Sequence, residues 1–174
     1  KSSIMKSPAK SRNLGSIARS FRREGYNTRF VHGGDLNFTD MSSYLYSTGY
    51  AHLSDLKSLD IDAPTGKWGY ADDAMAQEFV KQVASTPSPM LATWLTLSSH
   101  EPFEVSEHHF EDKMLNAMWF ADREIGRVVS ALKEQERWAN MLVIIIADHA
   151  YPYPYGVANY AAERHHIPML WLGG

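Results

Sequence analysis

Side chains that can carry chemistry follow apolar, strand-like segments at three places along the chain. Because the carboxyl ends of parallel strands meet at one edge of a sheet, where α/β proteins bind their ligands, such groups are expected to face a crevice there. The repeated placement favours a functional site over chance. The groups are Asp148 with His149 after residues 141–146, His100 after residues 90–97, and His32 after residues 26–31.

The adjacent residues Asp148 and His149 offer two ligands to one metal ion. The chain has no cysteine, so any metal must be held by oxygen and imidazole ligands. A carboxylate oxygen beside an imidazole nitrogen suits Zn²⁺ or Mn²⁺ better than Ca²⁺, which prefers all-oxygen coordination. The alternative is structural: Asp148 caps the turn after the strand and His149 packs against the fold. The pair predicts a divalent metal site, with Mn²⁺ or Zn²⁺ preferred and Mg²⁺ or Ca²⁺ as alternatives.

His100 and His32 are candidates for both catalysis and substrate binding. An imidazole in a loop after a strand can bind an anionic group of the substrate or act as a general acid toward a leaving oxygen. Directly after His32, Gly33 and Gly34 allow the backbone to approach a ligand closely. Asp35 ends the same loop and is a further substrate-binding candidate. The alternatives are hydrogen-bonded loop histidines and an ordinary glycine turn.

Two other segments near the carboxyl end are candidates for the same site. Residues 151–156 alternate tyrosine with proline, and this stiff aromatic loop either lines a pocket or packs on the surface; Tyr151 is its substrate-binding candidate. His165 and His166 precede the last predicted strand and are second-tier candidates for a further metal ligand. They are equally compatible with ordinary surface residues.

Hydrophobic periodicity predicts helices that alternate with strands. The run at residues 141–146 is continuous and β-branched, which is typical of a strand covered on both faces in a parallel sheet. The alternation predicts an α/β fold with a mostly parallel sheet flanked by helices. Residues 50–67 are predicted to be irregular. The predicted helices cover residues 14–24 (with Ser11 or Asn13 as cap), 39–47, 72–85 and 110–137, and the predicted strands cover 26–31, 90–97, 141–146 and 167–172.

Composition excludes several classes of protein. The chain has 174 residues, with 17 Lys and Arg against 20 Asp and Glu, which gives a formal net charge of −3. This balance gives no overall electrostatic signal for nucleic-acid binding, although it is compatible with a local basic patch. The longest apolar run is strand-sized, far below the roughly 18 residues of a membrane-spanning helix. No Gly-x-Ser-x-Gly nucleophile motif is present.

The motifs in their order resemble the lipoteichoic acid synthase-like branch of the sulfatase family, in the alkaline phosphatase superfamily. The resemblance covers nearly the whole chain. Where the teichoic acid synthases carry Trp and Arg after the His-Gly motif, this chain has Thr39 and Met41. The segments that carry the resemblance are Gly25–Asp35, Trp68–Asp73, Leu97–Phe103, Ile144–His149 and His166–Gly173.

The resemblance implies an enzyme that hydrolyses or transfers phosphate or sulfate esters, free or linked to a lipid or glycan. Asp148 and His149 match the family's metal ligands, His100 matches the histidine on the phosphate side of the substrate, and His32 the histidine near the headgroup. Residues 1–174 are then the carboxyl-terminal portion of one catalytic domain, with the nucleophile upstream, and are inactive alone.

The resemblance further implies an extracytoplasmic domain of a membrane-anchored bacterial protein. The alternative from another functional class is a non-catalytic domain of the same fold that binds an anion, a glycan or a lipid headgroup.

Overall fold

The computed structural model describes residues 6–152 and 156–174, which form two compact units. The first unit ends at Ala131 and the second runs from Leu132 to Gly174. Within the described residues, no helix is long and apolar enough to cross a bilayer. The elements in chain order are α1 (Pro8–Ser11), α2 (Ile17–Arg23), β1 (Asn27–His32), α3 (Met41–Thr48), β2 (His52–Ser54), α4 (Asp72–Ser85), β3 (Met90–Leu95), α5 (Lys113–Lys133), β4 (Leu142–Ile146) and β5 (Met169–Gly173).

The first unit is built on a parallel three-stranded sheet with the strand order β2–β1–β3. The last residue of β1, His32, lies opposite the last residue of β3, Leu95. Strands that run parallel place their following loops at one edge, so the loops after β1 and β3 emerge side by side. The predicted α/β fold with a parallel sheet flanked by helices is confirmed.

Helices cover both faces of this sheet. On one face Phe30 of β1 packs with Leu36 and with Leu45 of α3, and all three side chains are buried. On the other face Phe79 of α4 stacks on Trp94 of β3, with ring centroids 5.8 Å apart. Successive strand residues point to opposite faces, and each face of the central strand therefore acquires its own helix.

Several predicted boundaries differ from the structure. The first long helix begins at Ile17 rather than at residue 14, and the hydroxyl of the preceding Ser16 donates to the carbonyl oxygen of Thr48 instead of capping the helix. The strand β2 lies inside the segment predicted to be irregular, because it has only three residues and no apolar run. The long helix is shorter than predicted, since a 3₁₀ turn at Glu136–Asn140 follows it.

The strand predicted at residues 141–146 is present, but its predicted environment is wrong. This strand, β4, pairs antiparallel with β5 rather than within a parallel sheet. Leu142, Ile144 and Ile146 are 61%, 48% and 50% exposed, so the strand is not covered on both faces. A continuous β-branched run indicates a strand but does not determine its partner. The predicted final strand is confirmed as β5.

Candidate active site

His32 is held at the carboxyl end of β1 with one ring nitrogen fixed by the backbone. Its side chain is buried, and its Nδ1 lies 3.1 Å from the carbonyl oxygen of Leu95 on the neighbouring strand. A carbonyl oxygen only accepts hydrogen bonds, so Nδ1 carries the proton and donates it. In the neutral ring the lone pair is therefore on Nε2, which is the atom left to meet a ligand.

Burial lowers the pKa of His32 below its ordinary value of 6.5. The hydrogen bond to the Leu95 carbonyl and the charge of Asp55 act in the opposite direction but are weaker. The ring is therefore neutral at pH 7, with an acceptor at Nε2. Such a group can accept a proton or a hydrogen bond from a substrate hydroxyl.

The lowered pKa of His32 predicts a loss of stability in mild acid. Below about pH 6.5 the unfolded chain binds a proton at this residue before the folded chain does, so the free energy of unfolding falls as the pH falls. In the His32→Gln variant this fall should be shallower between about pH 6.5 and 5. Urea unfolding, monitored by circular dichroism at several pH values, measures this pH dependence of the free energy of unfolding. The exposed His108→Gln variant is the control. Equal slopes for the wild type and His32→Gln would contradict the prediction.

His100 lies in the loop after β3, and its ring is also oriented by a backbone carbonyl. Its Nδ1 is 2.8 Å from the carbonyl oxygen of Glu101, so Nδ1 donates and Nε2 is free to act on a ligand. The loop is a tight turn in which the His100 amide donates to the carbonyl oxygen of Leu97. Unlike His32, this side chain is exposed. The protonated ring can donate from Nε2 to an anionic oxygen, and the neutral ring can accept there.

Trp68 brings the loops of the two histidines together. Its indole ring meets the His100 ring edge-on, with centroids 5.3 Å apart, and its indole N–H donates to the Glu101 carbonyl oxygen at 2.6 Å. Its own carbonyl oxygen lies against the other loop: a Cβ on Gly34 would be 3.0 Å from that oxygen and 2.7 Å from Nε2 of His32. The structure therefore places both predicted catalytic histidines around one tryptophan.

An aromatic rim with one cation borders the two histidines. Phe38 and Trp68 have ring centroids 6.0 Å apart and are 61% and 37% exposed. The ammonium of Lys67 lies 5.0 Å from the centre of the Trp68 ring. Exposed aromatic surface beside a positive charge suits a ligand with both a carbon skeleton and an anionic group.

Asp35, predicted to bind substrate, is engaged by its own loop. Its carboxylate forms an ion pair with Lys57 at 2.7 Å and accepts the backbone N–H of Asn37 at 2.9 Å. The hydrogen bond from Lys57 lowers the pKa of Asp35. The residue is thus ionised and fixes the turn after Gly34, while its contact with a substrate remains a prediction.

In the second unit, Asp148 and His149 follow β4 after one intervening residue, Ala147, as predicted. Oδ2 of Asp148 and Nε2 of His149 lie 3.6 Å apart, and the two side chains are 72% and 69% exposed. Nδ1 of His149 donates to the carbonyl oxygen of Ala150 at 3.1 Å, which leaves Nε2 as the candidate ligating atom. Two ligands of a tetrahedral ion, each at about 2.1 Å, are separated by about 3.4 Å. The donor atoms therefore fit one divalent ion, and the exposure of His149 disfavours the packed alternative.

The second-tier candidates do not complete this pair in the structure. His165 is the last residue of a 3₁₀ turn, Ala162–His165, and both it and His166 are exposed. Across residues 6–152 and 156–174, no three His, Asp or Glu side chains are grouped as a metal site would require. Tyr151 is 41% exposed. Residues 153–155 of the tyrosine–proline loop lie outside the described residues.

The sequence profile of one protein family, described as Sulfatase, matches residues 2–173. The chain belongs to the sulfatase family. Among curated members, it is 25% identical over 143 residues to phosphoglycerol transferase I of Xanthomonas campestris, an alignment that covers 72% of this chain. It is 20% identical over 156 residues to the lipoteichoic acid synthase-like protein YvgJ of Bacillus subtilis, covering 83% of this chain. The alignments span 20% and 24% of the lengths of these relatives.

Solved structures share the fold of this sulfatase-family chain. A protein of the alkaline phosphatase superfamily from Vibrio parahaemolyticus superimposes with a TM-score of 0.77 at 24% identity, over 94% of this chain and 44% of that one. The lipoteichoic acid synthase LtaP of Listeria monocytogenes superimposes with a TM-score of 0.79 at 17% identity, over 95% of this chain and 48% of that one. The predicted resemblance to the lipoteichoic acid synthase-like sulfatases is confirmed.

Three site residues were not singled out by sequence reasoning. In the sequence, Trp68, Asp72 and Ser98 stand out only as members of the segments that carry the family resemblance. Their roles depend on contacts with residues 26 to 34 positions away. A tryptophan-glycine pair shortly before a helix that starts with two acidic residues is the one local signal that marks them.

Proposed function

We propose that this sulfatase-family chain belongs to the catalytic domain of a metal-dependent enzyme that transfers or hydrolyses phosphate esters of the glycerol phosphate class. The observation that carries the proposal is the pair of oriented histidines, His32 and His100, at the carboxyl edge of the parallel sheet. The names of two kinds of relative, phosphoglycerol transferase and lipoteichoic acid synthase, favour a phosphate rather than a sulfate ester.

The two histidines have complementary chemistry toward such an ester. The buried, neutral His32 presents an acceptor at Nε2 and can orient a hydroxyl of the alcohol portion or take its proton. The exposed His100 presents Nε2 to the phosphate and, when protonated, donates to a phosphoryl or leaving oxygen. The aromatic rim of Phe38 and Trp68 would contact the carbon skeleton of the alcohol.

Asp148 and His149 are the residues that would hold the metal ion, with Mn²⁺ or Zn²⁺ preferred. A divalent ion held there would supply positive charge that stabilises negatively charged oxygens. Within this chain, the backbone carbonyl of Ala150 fixes the tautomer of His149, and the His149 amide fixes the Asp148 carboxylate by donating to Oδ1 at 2.9 Å. These hydrogen bonds prepare both ligands in advance.

We also propose that the intact protein is membrane-anchored with its catalytic domain outside the cytoplasm. The support is the match to a lipoteichoic acid synthase-like relative, whose name refers to a lipid-linked product. Protease accessibility of this domain in intact cells, compared with cells made permeable, tests the location. Protection in intact cells would contradict it.

The combined His32→Ala and His100→Ala variant tests the anion site. Each histidine supplies one hydrogen bond to a charged or polar group of the ligand, so the affinity for glycerol phosphate should fall about tenfold to a hundredfold. Titration of the 174-residue chain by NMR measures the affinity. The control is His52→Ala, which removes an exposed histidine at the amino end of β2. Unchanged affinity in the double variant would remove both histidines from the site.

Turnover separates the enzyme from a binding domain of the same fold. The intact gene product with bound metal is expected to cleave a nitrophenyl phosphate ester, and the double histidine variant is expected to lose that activity. Glycerol phosphate binding without any turnover by the intact, metal-loaded protein would instead support the binding domain.

A further inference from the structure

One short segment, Trp68–Asp72, contacts both histidine loops. Toward the loop after β1, the amide of Tyr70 donates to the carbonyl oxygen of Gly33 at 3.1 Å, and Gly69 forms a bridge with Gly34. Toward the loop after β3, the Trp68 indole donates to Glu101, as described above. This clamp segment, as we call residues 68–72, ends at the first residue of α4.

Asp72 is the residue of the clamp segment that accepts backbone N–H groups of the loop after β3. Its two carboxylate oxygens accept separate backbone N–H groups, that of Leu97 at 2.8 Å and that of Ser98 at 3.0 Å. Its own backbone N–H donates to the hydroxyl of Ser98 at 2.9 Å. Three hydrogen bonds thus join the start of α4 to the two residues that precede Ser99 and His100.

Asp72 is fully buried, so its carboxylate depends on these hydrogen bonds. A buried carboxylate is costly unless its oxygens are hydrogen-bonded, and here the N–H groups of the His100 loop satisfy both of them. The amino terminus of α4 adds a favourable dipole. If the loop moved away, the carboxylate would lose its partners in a dry environment, so the loop is held in one position.

We infer that Asp72 is a positioning residue that fixes the His100 loop, and with it the Nε2 atom of His100, relative to Trp68 and His32. This inference rests on the proposed role of His100 in binding the phosphate ester. It assigns a function to a buried carboxylate whose two oxygens both accept backbone N–H groups of the His100 loop. The ligand class concerned is the anionic phosphate group that His100 meets.

The matched pair Asp72→Asn and Asp73→Asn tests this role. Both variants lose one negative charge in the first turn of α4, but among the described residues the Asp73 carboxylate accepts a hydrogen bond only from the adjacent Ala74 amide. An asparagine at position 72 keeps one acceptor oxygen and turns an NH₂ group toward the second backbone N–H. The readouts on the labelled chain are the NMR contact between the His100 and Trp68 rings and the dissociation constant for inorganic phosphate.

Asp72→Asn is expected to lose the ring contact and to bind phosphate about tenfold more weakly or worse, because small misplacements of a positioned group have large effects. Asp73→Asn is expected to match the wild type. An Asp72→Asn variant that is folded and retains both the ring contact and the phosphate affinity overturns the inference. If the wild type itself fails to bind phosphate, the proposed anion site fails, and the ring contact alone then decides the role of Asp72.

A second variant covers the case in which Asp72→Asn does not fold. Ser98→Ala removes the hydroxyl that accepts the Asp72 amide and also interacts with the Asp72 carboxylate, but it leaves both backbone N–H bonds to that carboxylate in place. It should shift the His100 ring resonances and weaken phosphate binding less than tenfold but measurably. Ring resonances and affinity identical to those of the wild type would then overturn the inference.

Discussion

Replacement of Gly69 by alanine is expected to destabilise the first unit by about 3 kcal/mol or more. Gly69 has a φ of +140°, and a Cβ at this position would lie 2.1 Å from the carbonyl oxygen of Gly33. That oxygen accepts the Tyr70 amide, so it cannot retreat without losing a hydrogen bond. Both the backbone conformation and the contact with the His32 loop exclude a side chain here.

Gly66→Ala is the matched control for this prediction. It lies three residues earlier in the same loop, and its added Cβ would meet only the Gly69 carbonyl oxygen at an ordinary 3.8 Å. Its free energy of unfolding should change by less than about 1 kcal/mol. Urea unfolding monitored by circular dichroism compares the two variants. Equal stabilities of Gly69→Ala and Gly66→Ala would show that residues 69 and 33 are not in contact.

The combined Asp148→Ala and His149→Ala variant is expected to lose metal binding. Loss of an outer residue that only orients a ligand lowers metal affinity by about tenfold to a hundredfold. Loss of two direct ligands should therefore lower the affinity by more than about a hundredfold. Calorimetric titration with Mn²⁺ and with Zn²⁺ measures the affinity, both for the 174-residue chain and for the intact gene product. The activity of the intact protein toward a nitrophenyl phosphate ester should disappear in the same variant.

The exposed His108→Ala serves as the control for nonspecific binding by surface imidazole. His165→Ala and His166→Ala extend the series, because an effect of either one would identify a further ligand. Metal affinity that is the same in the double variant and the wild type would make Asp148 and His149 structural residues. The proposed function would then shift to the metal-free binding domain.

The existence of the longer strands and the positions of the strand-end histidines were predictable because their signals are local. An apolar strand followed by polar residues identifies both a strand end and candidate functional residues, and this rule placed His32 at the end of β1. The same rule placed Asp148 and His149 after β4. The tautomers could not be predicted, because they depend on which carbonyl oxygen each Nδ1 meets.

The rest of the site depends on contacts between distant residues. In the sequence, Asp72 looks like an ordinary acidic residue in the first turn of a helix. Only the fold shows that its carboxylate accepts the backbone N–H groups of another loop. The environment of β4 was predicted wrongly for a related reason. The residues of a strand determine its propensity for β structure, whereas its partner depends on how the following chain folds. The strand β2 was not predicted because three residues are too few to show an alternating hydrophobic pattern.

The clamp segment has a consequence for how this protein can be altered by protein engineering. Residues 68–72 touch the loops of both His32 and His100, so substitutions in one loop change the surroundings of the other. Effects of mutations that share such a network are not additive. Libraries that randomise one loop at a time would therefore miss functional combinations, and new substrate preferences are best sought by varying both loops together with Trp68.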